Sequence, residues 1–249
     1  MSNGQVGLSY TWAKSIDTNS ASVAGGQFTN SINGLPLQFQ NFFRGLSDFD
    51  VRHSMVVNYL WEIRGPRSEN GLIRSLTNGW QWGGILRAQS GLPFTATISG
   101  DSLGMQSNNP FNFPDRVNSP ECKNAVNPSN VTNYIKTQCF VVATPANRMG
   151  NAGRNSLTGP GLVNVDMSLY KNNHIKRFSE TFNLQFRAEV FNLLNHSNFR
   201  PPTAGATQLY TFSTTPAPAG TFTPNTSAGQ LTLTSTTSRQ IQFAIKAIW

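Results

Sequence analysis

An all-β fold is predicted, an antiparallel up-and-down sheet, and three observations predict it. Six segments alternate apolar and polar residues with a period of two, as strands with one apolar face do. The connections between them run long, short, long, short, long. The last segment stops on an aromatic residue, Trp249, with no polar tail behind it.

The candidate strands are 5–16, 51–63, 79–90, 162–171, 181–194 and 239–249. In the first, Val6, Leu8, Tyr10 and Trp12 alternate with Gly7, Ser9, Thr11 and Ala13. The second sets Val51, His53, Met55, Val57, Tyr59, Trp61 and Ile63 against Arg52, Ser54, Asn58 and Glu62. In the third, Trp80, Trp82, Leu86 and Ala88 oppose Gln81, Gly83, Arg87 and Gln89. The fourth opposes Val163, Val165, Met167 and Leu169 to Asn164, Asp166 and Ser168. The fifth, Phe182, Leu184, Phe186, Ala188 and Val190 against Asn183, Gln185, Arg187 and Glu189, alternates most strictly. Helical spacing of Phe186, Val190, Leu193 and Leu194 leaves its tail from Phe191 to Asn195 ambiguous. The sixth has Ile241, Phe243, Ile245, Ala247 and Trp249 on its apolar side.

Successive connections of such a sheet alternate ends, so the long stretches 17–50, 91–161 and 196–238 all emerge at one rim, and 64–79 and 172–180 at the other. Long loops on one side and short turns on the other are a hallmark of outer-membrane barrels. The fold expected is therefore a barrel of that kind, present as a partial barrel of about six strands, since about eight strands is the smallest that closes. An open, curved sheet with unpaired first and last strands follows. Pro93 to Ile98 extends the third strand or forms a small hairpin, and Asn108 to Pro114 is irregular turn chemistry.

The polar faces carry Arg52, Glu62, Arg87, Asp166, Arg187, Glu189 and Lys246, charges costly in a dry core and natural in a wet lumen. The expectation for Asp166, Arg187 and Glu189 is mutual charge pairing across that lumen. A sandwich with one solvated face explains the alternation equally well, and leaves the loop asymmetry and Trp249 unexplained.

Only 12% of the 249 residues are charged, and the net charge is +8. The arginines are scattered singly with no basic run, so no nucleic-acid partner is expected. Acidic lipopolysaccharide fits the same charge. No stretch approaches the roughly 18 apolar residues of a transmembrane helix, a test that barrel strands of about 9–11 residues escape. Cys122 and Cys139 lie in one polar stretch; a disulfide between them and two free thiols are both open readings. Met1 precedes neither a basic nor an apolar leader segment, so the expectation is a C-terminal piece of a larger exported protein, without signal peptide or plug.

The final strand of outer-membrane barrels carries an assembly signal: a polar residue, a glycine two further on, then hydrophobic residues at the third-last and last positions. Gln242, Ala244, Ala247 and Trp249 occupy those places, with Phe243 and Ile245 between them, and alanine stands for glycine.

Several phrases in order resemble the C-terminal barrel of TonB-dependent outer-membrane receptors, in the Oar-like branch of acidobacterial type. They are Tyr10-Thr-Trp-Ala-Lys-Ser-Ile-Asp17, Ser47-Asp-Phe-Asp-Val-Arg-His53, Gly79-Trp-Gln-Trp-Gly-Gly-Ile85 and Gln89-Ser-Gly-Leu-Pro-Phe94. Gly150-Asn-Ala-Gly-Arg-Asn155, Gly159-Pro-Gly161 and Asp166 follow, then Phe186-Arg-Ala-Glu-Val-Phe-Asn-Leu-Leu-Asn-His196 with Asn198-Phe199, and Arg239-Gln-Ile-Gln-Phe243. The resemblance implies a parent with a plug and about 22 strands, uptake of a bulky nutrient of siderophore, glycan or peptide class, and no transport by this chain alone. The partners implied are the remaining barrel and plug, the barrel-assembly machinery, lipopolysaccharide and phospholipid, and TonB only through the missing N-terminal part.

No catalytic constellation emerges, and neither enzymatic activity nor a cofactor is expected. His53, His174 and His196 lie in separate segments without metal-ligand spacing. The glycines of 150–153 and 159–161 lack the strand-to-helix setting of a phosphate loop. A secreted glycan-binding sandwich and an adhesion or scaffold barrel remain the other readings.

Overall fold

The structure, a computed structural model, describes residues 3–18, 20, 43–66, 69–104, 111–145, 148–175, 181–213 and 220–249. Six long strands, Gly4–Trp12, His53–Ile63, Trp80–Gln89, Leu162–His174, Asn183–Phe191 and Gln240–Ile248, form one sheet. Each pairs antiparallel with the next in sequence, so the sheet is an up-and-down meander. It is open: among the described residues, the first strand's only sheet neighbour is the second, and the sixth's only neighbour is the fifth.

Register follows from the alternation, because a one-residue slip would move every side chain to the wrong face. Val57 stands opposite Leu8 and Leu86, and Leu86 opposite Val165. The row Trp61, Trp82, Leu169, Ala188, Phe243 likewise crosses five strands on the same face. Gly84 gives that face a needed gap. A Cβ there would lie 2.6 Å from the Tyr59 hydroxyl, so the phenol lies across the glycine and meets Trp82 edge-on, ring centroids 5.0 Å apart.

The strand ends differ from the alternation in physically readable ways. The first strand stops at Trp12, and Ile16–Asp17 pairs separately with Gly45–Leu46. The fourth runs on to His174, whereas the fifth ends at Phe191 instead of reaching residue 194. There Asn192 and Asn195 both adopt a left-handed conformation (φ 50°), which asparagine tolerates better than most residues. The ambiguous tail is thus a turn, not a helix or a strand. Arg52 precedes the second strand and pairs with Asp50 at 3.7 Å.

Pro93–Phe94 does extend the third strand, across a gap. It pairs with Leu157–Thr158 in the register of the third and fourth strands below. At the break, a Cβ on Gly91 would lie 1.8 Å from the Gly159 carbonyl oxygen, so only glycine fits. Thr97–Ser99 leaves that ladder for a four-stranded sheet with Phe111–Asn112, Gln208–Ser213 and Thr221–Pro224. Of the stretch expected to be irregular, 111–112 is therefore strand, and 108–110 lies outside the described residues.

The hydrophobic core decides between sandwich and barrel sheet. Its buried members, among them Phe43, Phe94, Phe113, Tyr134, Ile135, Phe140 and Leu209, all come from the three long connections. None belongs to the six long strands. Among the described residues the sheet therefore has no second leaf packed on it, and the described parts of the long connections fold together into one lobe at one rim.

Candidate functional site

The lobe is held by polar contacts between segments far apart in sequence. Arg154, with no side-chain exposure, donates from Nη1 to Asp17 Oδ1 at 2.5 Å and from Nη2 to Asp48 Oδ1 at 3.1 Å. Asn155, left-handed at φ 51°, donates from Nδ2 to Asp48 Oδ1 at 2.6 Å and to the Leu46 carbonyl at 2.7 Å. Thr95 Oγ1 donates to Asn155 Oδ1 at 3.0 Å. The first and second long connections are thus clasped together through buried charge. Burial pushes the Asp17 carboxyl up, but hydrogen bonds from Ser47, Ser20 and Arg154 outweigh it and hold the group below its ordinary value.

A second ion pair, Arg148 with Asp115, closes the far side. The hydrogen bond from Arg148 is the main reason that Asp115 titrates below the usual carboxylate range. Cys122 and Cys139 are joined in a disulfide, and Arg116 Nη2 donates to the carbonyls of Cys122 and Lys123 at 2.9 Å each. Tyr134 is buried among the core aromatics and donates to the Thr158 carbonyl at 2.8 Å; burial pushes its phenol up to about 12. Beside the disulfide a cavity of ≈ 420 Å³ is lined by Arg116, Ser119, Lys123 and Asn151.

The sheet's polar face lies below the lobe. Glu62, Arg87, Asp166, Arg187, Glu189 and Lys246 share it by register, together with the apolar Val56, Leu60, Ile85 and Phe191, which the alternation passed over. The charges expected to pair with one another are held by neutral groups instead. Arg187 lies over the Tyr170 ring, 5.3 Å from its centroid, and donates to Gln185 Oε1 at 2.5 Å. Glu189 accepts from the Tyr170 hydroxyl at 3.3 Å, and Asp166 Oδ1 accepts from Asn164 Nδ2 and the Asn192 amide at 2.9 Å each. Tyr170 stands directly opposite Arg187 and diagonal to Glu189, so its ring and its hydroxyl serve one charge each. Where this face meets the lobe, a depression of ≈ 300 Å³ is lined by Asn164, Asp166, Phe191, Asn192 and Gln240.

The three histidines stand apart: His53 Nδ1 is 2.8 Å from the Tyr10 hydroxyl, His196 Nδ1 is 3.0 Å from Asn198 Oδ1, and His174 lies opposite Asn183 at the turn rim. Among the described residues no group of three or more His, Cys, Asp or Glu is placed to hold a metal ion. In the sixth strand, Gln242 faces Glu189, Ala244 faces Arg187, and Phe243 and Ile245 project from the other side. Sequence reasoning missed the clasp. The only local signal was asparagine after Arg154 in a glycine-rich turn, a residue suited to a left-handed backbone.

A family model described as an outer membrane beta barrel domain matches residues 1–242. The chain belongs to that family. It is accordingly an outer-membrane protein, and no curated protein or solved structure gives a significant match. In an outer membrane beta barrel domain the outward face is apolar and the interior polar. The apolar row through Trp61, Trp82, Leu169 and Phe243 lies on one face of the sheet, and Arg187 and Glu189 lie on the other.

Proposed function

We propose that this barrel domain is the C-terminal part of a TonB-dependent receptor of the Oar-like branch, serving energised uptake of a bulky nutrient of siderophore, glycan or peptide class. The observation that carries the reading is the single lobe formed by all three long connections over one rim of the sheet. A folded lobe above a polar interior suits capture of a large ligand better than passage of small solutes, which an open pore serves. The ordered phrases add the family assignment, and three of them, around Asp17, Asp48 and Arg154, meet in the clasp.

On this reading the unpaired first and sixth strands continue into the rest of the parent barrel, because lipid tolerates no open sheet edge. The plug lies inside that barrel, TonB reaches it only through an N-terminal part, and six strands alone transport nothing. Gln242, Phe243, Ala244, Ile245, Ala247 and Trp249 address the barrel-assembly machinery, lipopolysaccharide and phospholipid surround the outward face, and nucleic acid plays no part. The domain binds rather than catalyses and needs no cofactor.

An adhesion or scaffold barrel is the second reading, favoured by the lobe's own core and disulfide, which make a rigid contact surface. The deciding experiment deletes the native gene and measures uptake of siderophore, glycan and peptide pools with and without a protonophore. Loss of a protonophore-sensitive uptake, restored by the gene, supports the receptor. Unchanged uptake together with failure of the native product to crosslink to TonB leaves the adhesion barrel.

A further inference from the structure

We infer that the seven-residue helix Gly71–Thr77, in the connection between the second and third strands, is an interfacial anchor seated in the phospholipid leaflet at the turn rim. The inference rests on the outer-membrane location and not on the transport reading, so the two fail separately.

The helix contains no buried residue. Leu72, Ile73 and Leu76 are 76%, 44% and 70% exposed, and at about 100° per residue they fall within one arc of the helix. A helix with such an arc ordinarily buries it on a core. Here the core lies in the lobe at the opposite rim, so among the described residues the apolar surface at hand is the lipid-facing side of the sheet.

The helix is tied to that side. Trp80, on the apolar face in one row with Ile63 and Lys171, donates from Nε1 to the Leu76 carbonyl at 2.8 Å. Lys171 sends its amine past the Trp80 ring, 5.8 Å from the centroid, to the Asn78 carbonyl at 2.5 Å. A tryptophan with its polar edge turned toward the rim, beside a lysine whose stem runs along apolar surface to reach polar groups, marks the boundary between acyl chains and headgroups. The helix leads directly into Trp80 through Asn78 and Gly79, so it lies next to that boundary.

Charge points the same way. Among the described residues, Arg64 and Arg74 are exposed around the helix and Lys171 lies behind it, against Glu62 and Glu69. An apolar arc with basic residues beside it is the composition of helices that lie in an anionic interface.

The test labels L72C and L76C, one at a time, with a nitroxide in the whole product of the native gene, any cysteine outside this chain replaced, reconstituted in phosphatidylethanolamine and phosphatidylglycerol vesicles. The native cysteines are paired with each other, so the new thiol takes the label. Both positions are exposed, so a label is tolerated. V141C, exposed on the lobe, serves as the aqueous reference. Collision with oxygen several-fold above V141C, with a polar nickel chelate several-fold below it, is the expected result. Chelate access equal to V141C overturns the inference, and so does shielding from both reagents, which would mean that protein covers the helix. As a second variant, L72E with L76E should bring a label at I73C to the V141C values while the sheet's circular dichroism stays unchanged; a label at I73C that stays lipid-exposed in that background also overturns it.

Discussion

Arg154 Nη2 lies 3.1 Å from Asp48 Oδ1, two side chains 0% and 2% exposed and 106 residues apart in sequence. With Asp17 on its other nitrogen, the guanidinium faces two carboxylates, and Asp48 Oδ2 and Arg154 Nε find no partner among the described residues. An arrangement of this kind stabilises little beyond what an apolar substitute would, yet breaking it strands a buried charge.

Arg154→Met should therefore destabilise the lobe by about 3–5 kcal/mol. Limited proteolysis would show earlier cleavage in the long connections, with the sheet's circular dichroism retained. Unchanged cleavage would mean that the clasp does not hold the first two long connections together.

Acid should loosen the lobe late. Asp17 and Asp115 both titrate below the ordinary carboxylate value, so the folded state holds their protons less tightly than the unfolded chain does. Their stabilisation is complete above the unfolded value near 3.8 and is lost as pH falls through the lowered folded values. Arg148→Gln should move the Asp115 titration up toward 3.8, read by carboxyl chemical shifts in nuclear magnetic resonance. An unmoved titration would show that Arg148 is not what holds it down.

Alkali acts on the other side of neutrality. The Tyr134 phenol, near 12 in the folded protein against 10.0 as the reference, keeps its proton where an unfolded chain has begun to lose it. Stability from this group is present below pH 10.0 and is lost between there and about 12. Tyrosinate absorbance of the wild type should lack one tyrosine's share at intermediate pH, and Tyr134→Phe should abolish that late step. A wild-type titration complete near pH 10.0 would contradict the burial of Tyr134.

The sheet was legible in the sequence because its physics is local. Alternation from Phe182 to Val190 specifies a strand and its faces within nine residues, and the lengths of the connections specify which rim each occupies. The lobe was not legible, because its core joins Phe43, Phe140 and Leu209 across the whole chain, and no period links them. The phrases around Asp17, Asp48 and Arg154 were each visible as resemblance, and only coordinates show that they form one contact. Charges on the polar face were placed by parity, but parity says nothing of partners, which is why Arg187 stacking on Tyr170 was not foreseen.

Removing the disulfide should loosen the lobe and spare the sheet. Cys122 and Cys139 are 17 residues apart, a loop whose closure is worth about 3 kcal/mol in the chain-entropy account. Cys122→Ser with Cys139→Ser should lower the denaturant midpoint of lobe unfolding without altering the sheet signal. Loss of both together would mean that lobe and sheet unfold as one unit.

Met167 and Ser168 are neighbours in the fourth strand that project to opposite faces, which makes them a direct probe of which face meets lipid. Met167 stands opposite Gly84 and Val190, in the middle of the five apolar rows that run from Met55 to Ile63. A mid-bilayer arginine on the lipid face of a barrel costs about 2–4 kcal/mol, whereas interior substitutions leave stability largely intact. Met167→Arg in the whole product of the native gene should therefore lower the folding free energy in vesicles by that amount, and Ser168→Arg by less than about 1 kcal/mol. Urea titration of the refolded variants by tryptophan fluorescence reads both. Equal losses, or the reverse order, would invert the faces and with them the placing of Arg187 and Glu189 toward the interior, since those residues lie in register with Tyr170 and Ser168.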